Sequence, residues 1–330
     1  MMWCEEDVIA AIRGSFGNDG GRIRLGMGDD CAQLGDGLTL ITTDASIEGV
    51  HFDLDWMTPG DAAYRCLTSN LSDVAAMGAR AAAFTLALGL RPDLPFDAVR
   101  NIIDGLKQCL LDHDMTHCIL VGGDVVRSPV VMFSVTMLGE TPPWPIVTRH
   151  GASPGDIIGV LGHIGYAALG LELCKNGCCR DNHPTSEIFL NAFKRPRCLP
   201  HLGPQLAQAQ CLTSMMDTSD GIMTDLPRLL TASSCGATVE LDHFCPDAEM
   251  IRTANRCHAD ARNLMVCGGE DFGLLFTCRE NKLKLIRHAA ACSNIPLILF
   301  GQCTKTAPGH ILWTERGKQT HPINRSFSHF

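Results

Sequence analysis

Residues 58–90, TPGDAAYRCLTSNLSDVAAMGARAAAFTLALGL, place a helix and a strand back to back, and their reading sets the fold. Thr58-Pro59 supplies a capping hydroxyl and then a residue whose fixed backbone angle suits a first helical turn. The apolar positions Ala63, Leu67, Leu71 and Val74 recur at i, i+4, i+8 and i+11, one face of a helix. Gly78 closes that helix, and Ala81 to Leu90 reads as a strand. Asp73 lies about a third of a turn from the centre of the apolar stripe, so the helix can carry this acid past the core edge into a cleft. Taken alone, the same residue also suits a solvated helix face.

Outward from this unit the first half alternates strand and helix patterns. Leu38 to Thr43, Ile119 to Val121 and Val130 to Leu138 are apolar runs rich in β-branched residues, and a second helix runs from about Pro95 to His113. Thr141-Pro142-Pro143-Trp144-Pro145 cannot continue a strand, because proline lacks the donor; it reads as a linker or as a long surface loop. Beyond it, Ile157 to Leu161 reads as a strand and about Tyr166 to Lys175 as a helix. Further units fall at Met215, Ala237 to Leu241, Leu264 to Cys267, Leu274 to Thr277 and Ile298 to Gly301. The expected class is α/β (α+β) in two domains, residues 1–145 and 146–330. A chain of 330 residues allows this, since one core rarely grows beyond ~250–300.

Bulk composition removes several classes. Hydrophobic residues are 45% and charged residues 19%, with no run near the ~20 apolar residues needed to span a bilayer. The acidic start Met-Met-Trp-Cys-Glu-Glu-Asp lacks a signal-peptide layout, so the expected compartment is the cytoplasm. The 27 Lys and Arg residues are scattered under a net charge of −9, so no basic stripe points to nucleic acid. The 17 cysteines show no Cys-x-x-Cys spacing; most lie in apolar runs, where a thiol packs as a small hydrophobe.

The acids are more informative by position than by number. Gly28-Asp29-Asp30, Thr42-Thr43-Asp44, Ser72-Asp73, Gly123-Asp124, Asp217-Thr218-Ser219-Asp220-Gly221 and Gly269-Glu270-Asp271 all follow or interrupt apolar runs, which puts them at element ends. Ile119 to Asp124 and Met265 to Asp271 echo each other as a strand, two glycines and an acid; two ordinary turns are the alternative. Asp217 and Asp220 precede a helix striped by Ile222, Leu226, Leu229 and Leu230, and Pro227 suggests that its regular part starts nearer Thr224. Carboxylates and hydroxyls are hard oxygen ligands that suit Mg²⁺ rather than zinc. Two such charges ~4 Å apart repel by about 4 kcal/mol at an effective dielectric near 20, so a cluster of them needs divalent cations. Acid-lined clefts with Mg²⁺ are natural sites for ATP, although no Walker-type loop, kinase signature or Gly-x-Gly-x-x-Gly occurs.

These motifs, in this order, resemble thiamine-monophosphate kinase over nearly the whole chain. The resemblance rests on Gly28 to Ala32, Thr43-Asp44 with Glu48 to Phe52, Asn70 to Ala79, Gly122-Gly123-Asp124, the segment from Arg149 to Asp156, Asp217 to Gly221, and Gly268 to Asp271. It implies the two-domain aminoimidazole ribonucleotide synthetase-like (PurM-like) architecture, with an N-terminal mixed sheet that pairs with its copy as a barrel in a homodimer, and a C-terminal α/β domain. It also implies ATP and thiamine monophosphate as substrates and several Mg²⁺ ions. Asp30, Thr42, Thr43, Asp44, Asp73, Asp124, Asp217 and Asp220 are the implied metal ligands. Gly123, Asp124, Arg149 and Ser219 are the implied ATP contacts, and His51, Glu270 and Asn324 the implied substrate contacts. By itself, a histidine between Val50 and Phe52 is more often a packed one; the resemblance is what makes it a substrate contact.

Two positions depart from the family pattern. Gly273 stands where a Glu commonly follows, and Asn324 stands where the family often carries a Trp, with Phe327 and Phe330 close by. Rivals are a sister enzyme making a purine precursor, selenophosphate or a hydrogenase maturation intermediate, and a nucleotide-binding regulator. The ending Ser328-His329-Phe330 carries no cysteine, which argues against the hydrogenase case.

Overall fold

Residues 23–26, 28–35, 39–140, 142–177 and 184–322 are described by the computed structural model. The first half is β1 (Ile23–Leu25), β2 (Ala32–Leu34), β3 (Thr39–Ile47), α1 (Pro59–Ala76), β4 (Arg80–Leu90), α2 (Phe96–Asp112), β5 (Ile119–Arg127) and β6 (Met132–Glu140). Their sheet has the order β1-β2-β3-β6-β4-β5, antiparallel except for the parallel pair β4–β5. Strict alternation along β6 turns Phe133, Val135 and Met137 inward and Ser134 and Thr136 outward. α1 covers the inward face.

The cap of α1 forms as its sequence promises. Thr58 Oγ1 accepts from Asp61 N–H at 3.1 Å and Asp61 Oδ2 accepts from Thr58 N–H at 3.1 Å, a capping box, and Gly78 at φ +68° ends the helix. Most of α1 is buried, because it has walls on both sides. One is the first sheet with α2; the other comes from the second half of the chain.

That second half contains β7 (Ile157–Leu161), α3 (Tyr166–Lys175), α4 (Pro184–Lys194), α5 (Leu202–Gln208), β8 (Ser214–Asp217), α6 (Ile222–Ala232), β9 (Gly236–Glu240), α7 (Ala248–Arg256), α8 (Ala261–Cys267), β10 (Leu274–Cys278), α9 (Leu283–Cys292), β11 (Leu297–Thr304), β12 (Ile311–Glu315) and β13 (Lys318–Gln319). Its sheet runs β13-β12-β9-β11-β7-β10-β8, which puts β8 at an edge. Residues of this half reach α1 directly: Arg195 Nε donates to Asp61 Oδ1 at 2.6 Å, and the Phe193 carbonyl accepts from Arg65. The two sheets part between Glu140 and Ile157. Among the described residues no helix is long and apolar enough to cross a membrane.

Three local expectations are corrected. Met265 to Cys267 is not a strand but the end of α8, which starts because the Asp260 side chain accepts from Asn263 N–H at 3.0 Å. Gly122-Gly123 does not end its strand; β5 runs through it, pressed so closely on β4 that a Cβ on Gly123 would lie 2.0 Å from the Leu86 oxygen. α6 starts at Ile222, not near Thr224, and holds Pro227 inside it. Its first turn is fixed instead by the Gly221 carbonyl, which accepts from Thr224 and Asp225 N–H at 2.9 Å each.

Candidate active site

Three distant parts of the chain meet where β8 abuts α1. Asp30, after the β1–β2 turn, Asp73 on α1 and Asp217 at the end of β8 each present a carboxylate oxygen within 4.8 Å of the others. Asp30 and Asp217 are buried and Asp73 is partly so. On β3, Thr42 donates from Oγ1 to Asp73 Oδ2 at 2.6 Å, so its hydroxyl oxygen also lies at the cluster. Asp44 shares that strand face, because side chains alternate. Burial raises its affinity for a proton; the Ser69 hydroxyl and His51 oppose this and Asp220 adds to it. His51 Nδ1 accepts from Ile47 N–H at 3.1 Å, which leaves Nε2 of the neutral ring to carry the proton.

Cations line the other side. Arg149 Nε donates to Asp30 Oδ1 at 3.1 Å, Nη2 donates to the same oxygen, and the Arg149 backbone N–H donates to Asp29 Oδ2 at 3.0 Å. Arg228 on α6 donates to Asp220 Oδ2 and lies 3.4 Å from Asp225 Oδ1. Ser219 and Glu270 belong to two turns that interlock. Glu270 N–H donates to the Ser219 carbonyl at 2.7 Å, Phe272 N–H to the Thr218 carbonyl at 3.0 Å, and Thr218 N–H to the Gly273 carbonyl at 3.0 Å. A Cβ on Gly269 would lie 2.4 Å from the Ser219 oxygen, so only glycine permits this approach. Asp271 accepts from Gly165 and Ala167 N–H at 2.6 and 2.9 Å and thereby caps α3 from outside.

Burial first, and crowding after it, raise the affinity of these acids for protons. Burial, then Asp44, Asp217 and Asp30, push Asp73 well above the usual carboxylate range; burial, then Asp30 and Asp225, do the same to Asp217. Burial also lifts Asp29 to about 6, Asp271 to about 7 and Asp225 to about 8. Such groups bind protons more tightly folded than unfolded, so their contribution is full below about pH 4 and is lost as pH rises through the raised values. Without divalent cations, the Tm measured by calorimetry is therefore expected to be several degrees lower at pH 8.5 than at pH 5.5. An equal or higher Tm at pH 8.5 would contradict this. Asp30 Oδ2 is buried without a hydrogen-bond partner. An orphaned carboxylate oxygen beside two more carboxylates and a hydroxyl suits a hard divalent cation.

Residues 28–141 match the family "AIR synthase related protein, N-terminal domain". Among curated proteins, the chain is 35% identical over 299 residues to the thiamine-monophosphate kinase of Escherichia coli strain K12, covering 87% of this chain and 86% of that one. The chain belongs to the thiamine-monophosphate kinase family. The family's protein from Synechococcus elongatus is 34% identical over 317 residues, covering 92% and 91%. Among solved structures, AaThiL complexed with AMPPCP and TMP superposes with a TM-score of 0.84 at 24% identity, covering 100% of this chain and 99% of that chain; at this identity it speaks to the fold. The thiamine-monophosphate kinase from Stenotrophomonas maltophilia K279a gives 0.76 at 29% identity, covering 95% and 96%.

Of the residues this family's pattern implies, Asp30, Asp73 and Asp217 cluster, with Thr42 bonded to Asp73 and Arg149 to Asp30; Asp44 feels the charges of His51 and Asp220, and Ser219 is bonded to Glu270. Thr43 and Asp124 do not join them. The Thr43 hydroxyl turns to the opposite sheet face, donating to the Val135 carbonyl at 3.0 Å and accepting from Thr136 Oγ1 at 3.2 Å. Asp124 is exposed on that same face of edge strand β5, in register with Ala87, Ser134 and Ala45. Three strand spacings separate β5 from β3, about 14 Å. Asn324 lies outside the described residues. Sequence reasoning missed Ser69, Arg228 and Asp225. Ser69 stands one helical turn before Asp73, so the i, i+4 rule could have found it.

Proposed function

We propose that this protein transfers the γ-phosphoryl group of ATP to the phosphate of thiamine monophosphate, giving thiamine diphosphate and ADP. The observation that carries this reading is the meeting of Asp30, Asp73 and Asp217 in a chain of this family. Several Mg²⁺ ions belong to it, held by Asp30, Thr42, Asp44, Asp73, Asp217 and Asp220. When bound, they neutralise the acids and screen the repulsion between two anionic phosphates. The acceptor oxygen is already anionic at neutral pH, so no protein base is assigned and transfer is direct and in line.

The side chains position the reactants. Arg149, now paired with Asp30, presents a planar guanidinium for the nucleotide phosphates, and Ser219 lies in the turn between two of the acids. His51 and Glu270 are the proposed contacts for thiamine monophosphate, with Asn324 as a third. Gly123 and Asp124 remain nucleotide contacts in this proposal, and Thr43 and Asp124 metal ligands, each at its own position apart from the main cluster. Phosphorus NMR of the protein with ATP, Mg²⁺ and thiamine monophosphate tests the reading. ADP with thiamine diphosphate supports it; AMP, or binding without turnover, overturns it.

The same proposal makes the protein a homodimer of two-domain subunits, residues 1–145 and 146–330, in the cytoplasm. Eleven of the described cysteines, from Cys31 to Cys303, are free thiols, which suits a reducing compartment. Edge strand β5 exposes Ile119, Val121 and Val125 by 62%, 60% and 67%, an apolar edge that monomers seldom leave open. Val125→Lys is expected to convert the dimer to monomer, measured as a halved mass by light scattering. A wild type that is already monomeric would contradict it.

A further inference from the structure

Arg65 belongs to none of the groups assigned above, yet it is one of the most enclosed charges in the molecule. It stands on α1 with its side chain 7% exposed. Its Nη2 donates to Glu270 Oε1, its Nη1 donates to the Phe193 carbonyl, and its guanidinium carbon lies 4.6 Å from the centre of the Phe193 ring. Burying a guanidinium is costly unless fixed partners compensate it. The acid nearest on its own helix, Asp61, is one turn away but is occupied by Arg195 at 2.6 Å and by the Thr58 cap. Arg65 is thereby directed across to Glu270.

Glu270 is held at both ends. Its backbone takes the left-handed conformation, φ +68°, with its N–H on the Ser219 carbonyl, and its side chain is clamped through one oxygen while remaining 36% exposed. A carboxylate fixed in this way is aimed rather than mobile. We propose that Arg65 is a positioning residue that orients Glu270 to accept a hydrogen bond from the amine-bearing ring of thiamine monophosphate. This rests on the reading of Glu270 as a substrate contact. Arg65 itself touches no reacting atom, so its removal acts on recognition of one substrate and spares transfer.

The test is steady-state kinetics with each substrate varied separately, on wild type, Arg65→Gln, Arg65→Lys, Glu270→Gln and the double Gln variant, together with calorimetric titration of thiamine monophosphate. Arg65→Gln is expected to raise KM for thiamine monophosphate about tenfold, with KM for ATP and kcat within about twofold. Arg65→Lys keeps the charge but cannot bridge both partners at once, so about a threefold rise in the same KM is expected. It carries the test should Arg65→Gln not fold. The double variant is expected to be no worse than the worse single one, as coupled residues behave. Parallel rises in both KM values, a fall in kcat alone, or full additivity with Glu270→Gln would overturn the role. A wild type that does not phosphorylate thiamine monophosphate would instead remove the proposed function beneath it.

Discussion

Asp73→Asn is expected to lower turnover by about three orders of magnitude while leaving the fold intact. The amide keeps the shape of the side chain and can still accept from Thr42, whose hydroxyl now bonds Asp73 Oδ2 at 2.6 Å. What it removes is the charge at the meeting point with Asp30 and Asp217. Stability should move the other way. Asp73 is pushed toward its protonated form by burial and by Asp44, Asp217 and Asp30, so neutralising it relieves repulsion in the metal-free protein. The variant without Mg²⁺ should therefore melt no lower than wild type, and the rise in Tm on adding Mg²⁺ should shrink. Calorimetry with and without Mg²⁺, beside single-turnover assays, reads both signs. A variant that melts lower yet keeps its full Mg²⁺ response would show Asp73 to be structural.

Gly269→Ala is expected to cost about 3 kcal/mol of stability and at least ~100-fold in activity. The added carbon would meet the Ser219 oxygen at 2.4 Å and the Asp220 backbone at 3.1 Å, none of it a flexible side-chain end. Ser219 cannot simply withdraw, because its carbonyl accepts from Glu270 N–H in the same contact. Any shift would move Asp217 and Asp220 on one side and Glu270 on the other. Both KM values should rise together, unlike the one-substrate effect expected for Arg65→Gln. Urea denaturation and kinetics with each substrate varied would show this; an alanine variant with unchanged urea midpoint would refute the interlock.

Much of the acid cluster was legible because its acids sit beside glycines and hydroxyls at the ends of apolar runs, and because α1 announces itself by cap, stripe and closing glycine. The placement of Thr43 could also have been read, since strand alternation separates it from Thr42 and Asp44. Other features depend on contacts that no local pattern encodes. Three apolar residues, Met265 to Cys267, have no measurable period, and the Asp260 cap decided for helix. Gly122-Gly123 looked like a bend because glycine permits one; Gly123 is instead pressed against Leu86, while a Cβ on Gly122 would meet nothing. Arg65 and Arg228 lay unnoticed because an arginine on a helix is ordinarily solvated, and their partners are brought to them only by the tertiary fold.

The double enclosure of α1 also bears on how such a chain can be divided. Separating it between Glu140 and Ile157 would strip the helix of the wall supplied by Phe193, Arg195 and β8, and leave a greasy flank facing water. Two fragments made apart are therefore expected to aggregate, and co-expressed fragments to reassemble around that helix.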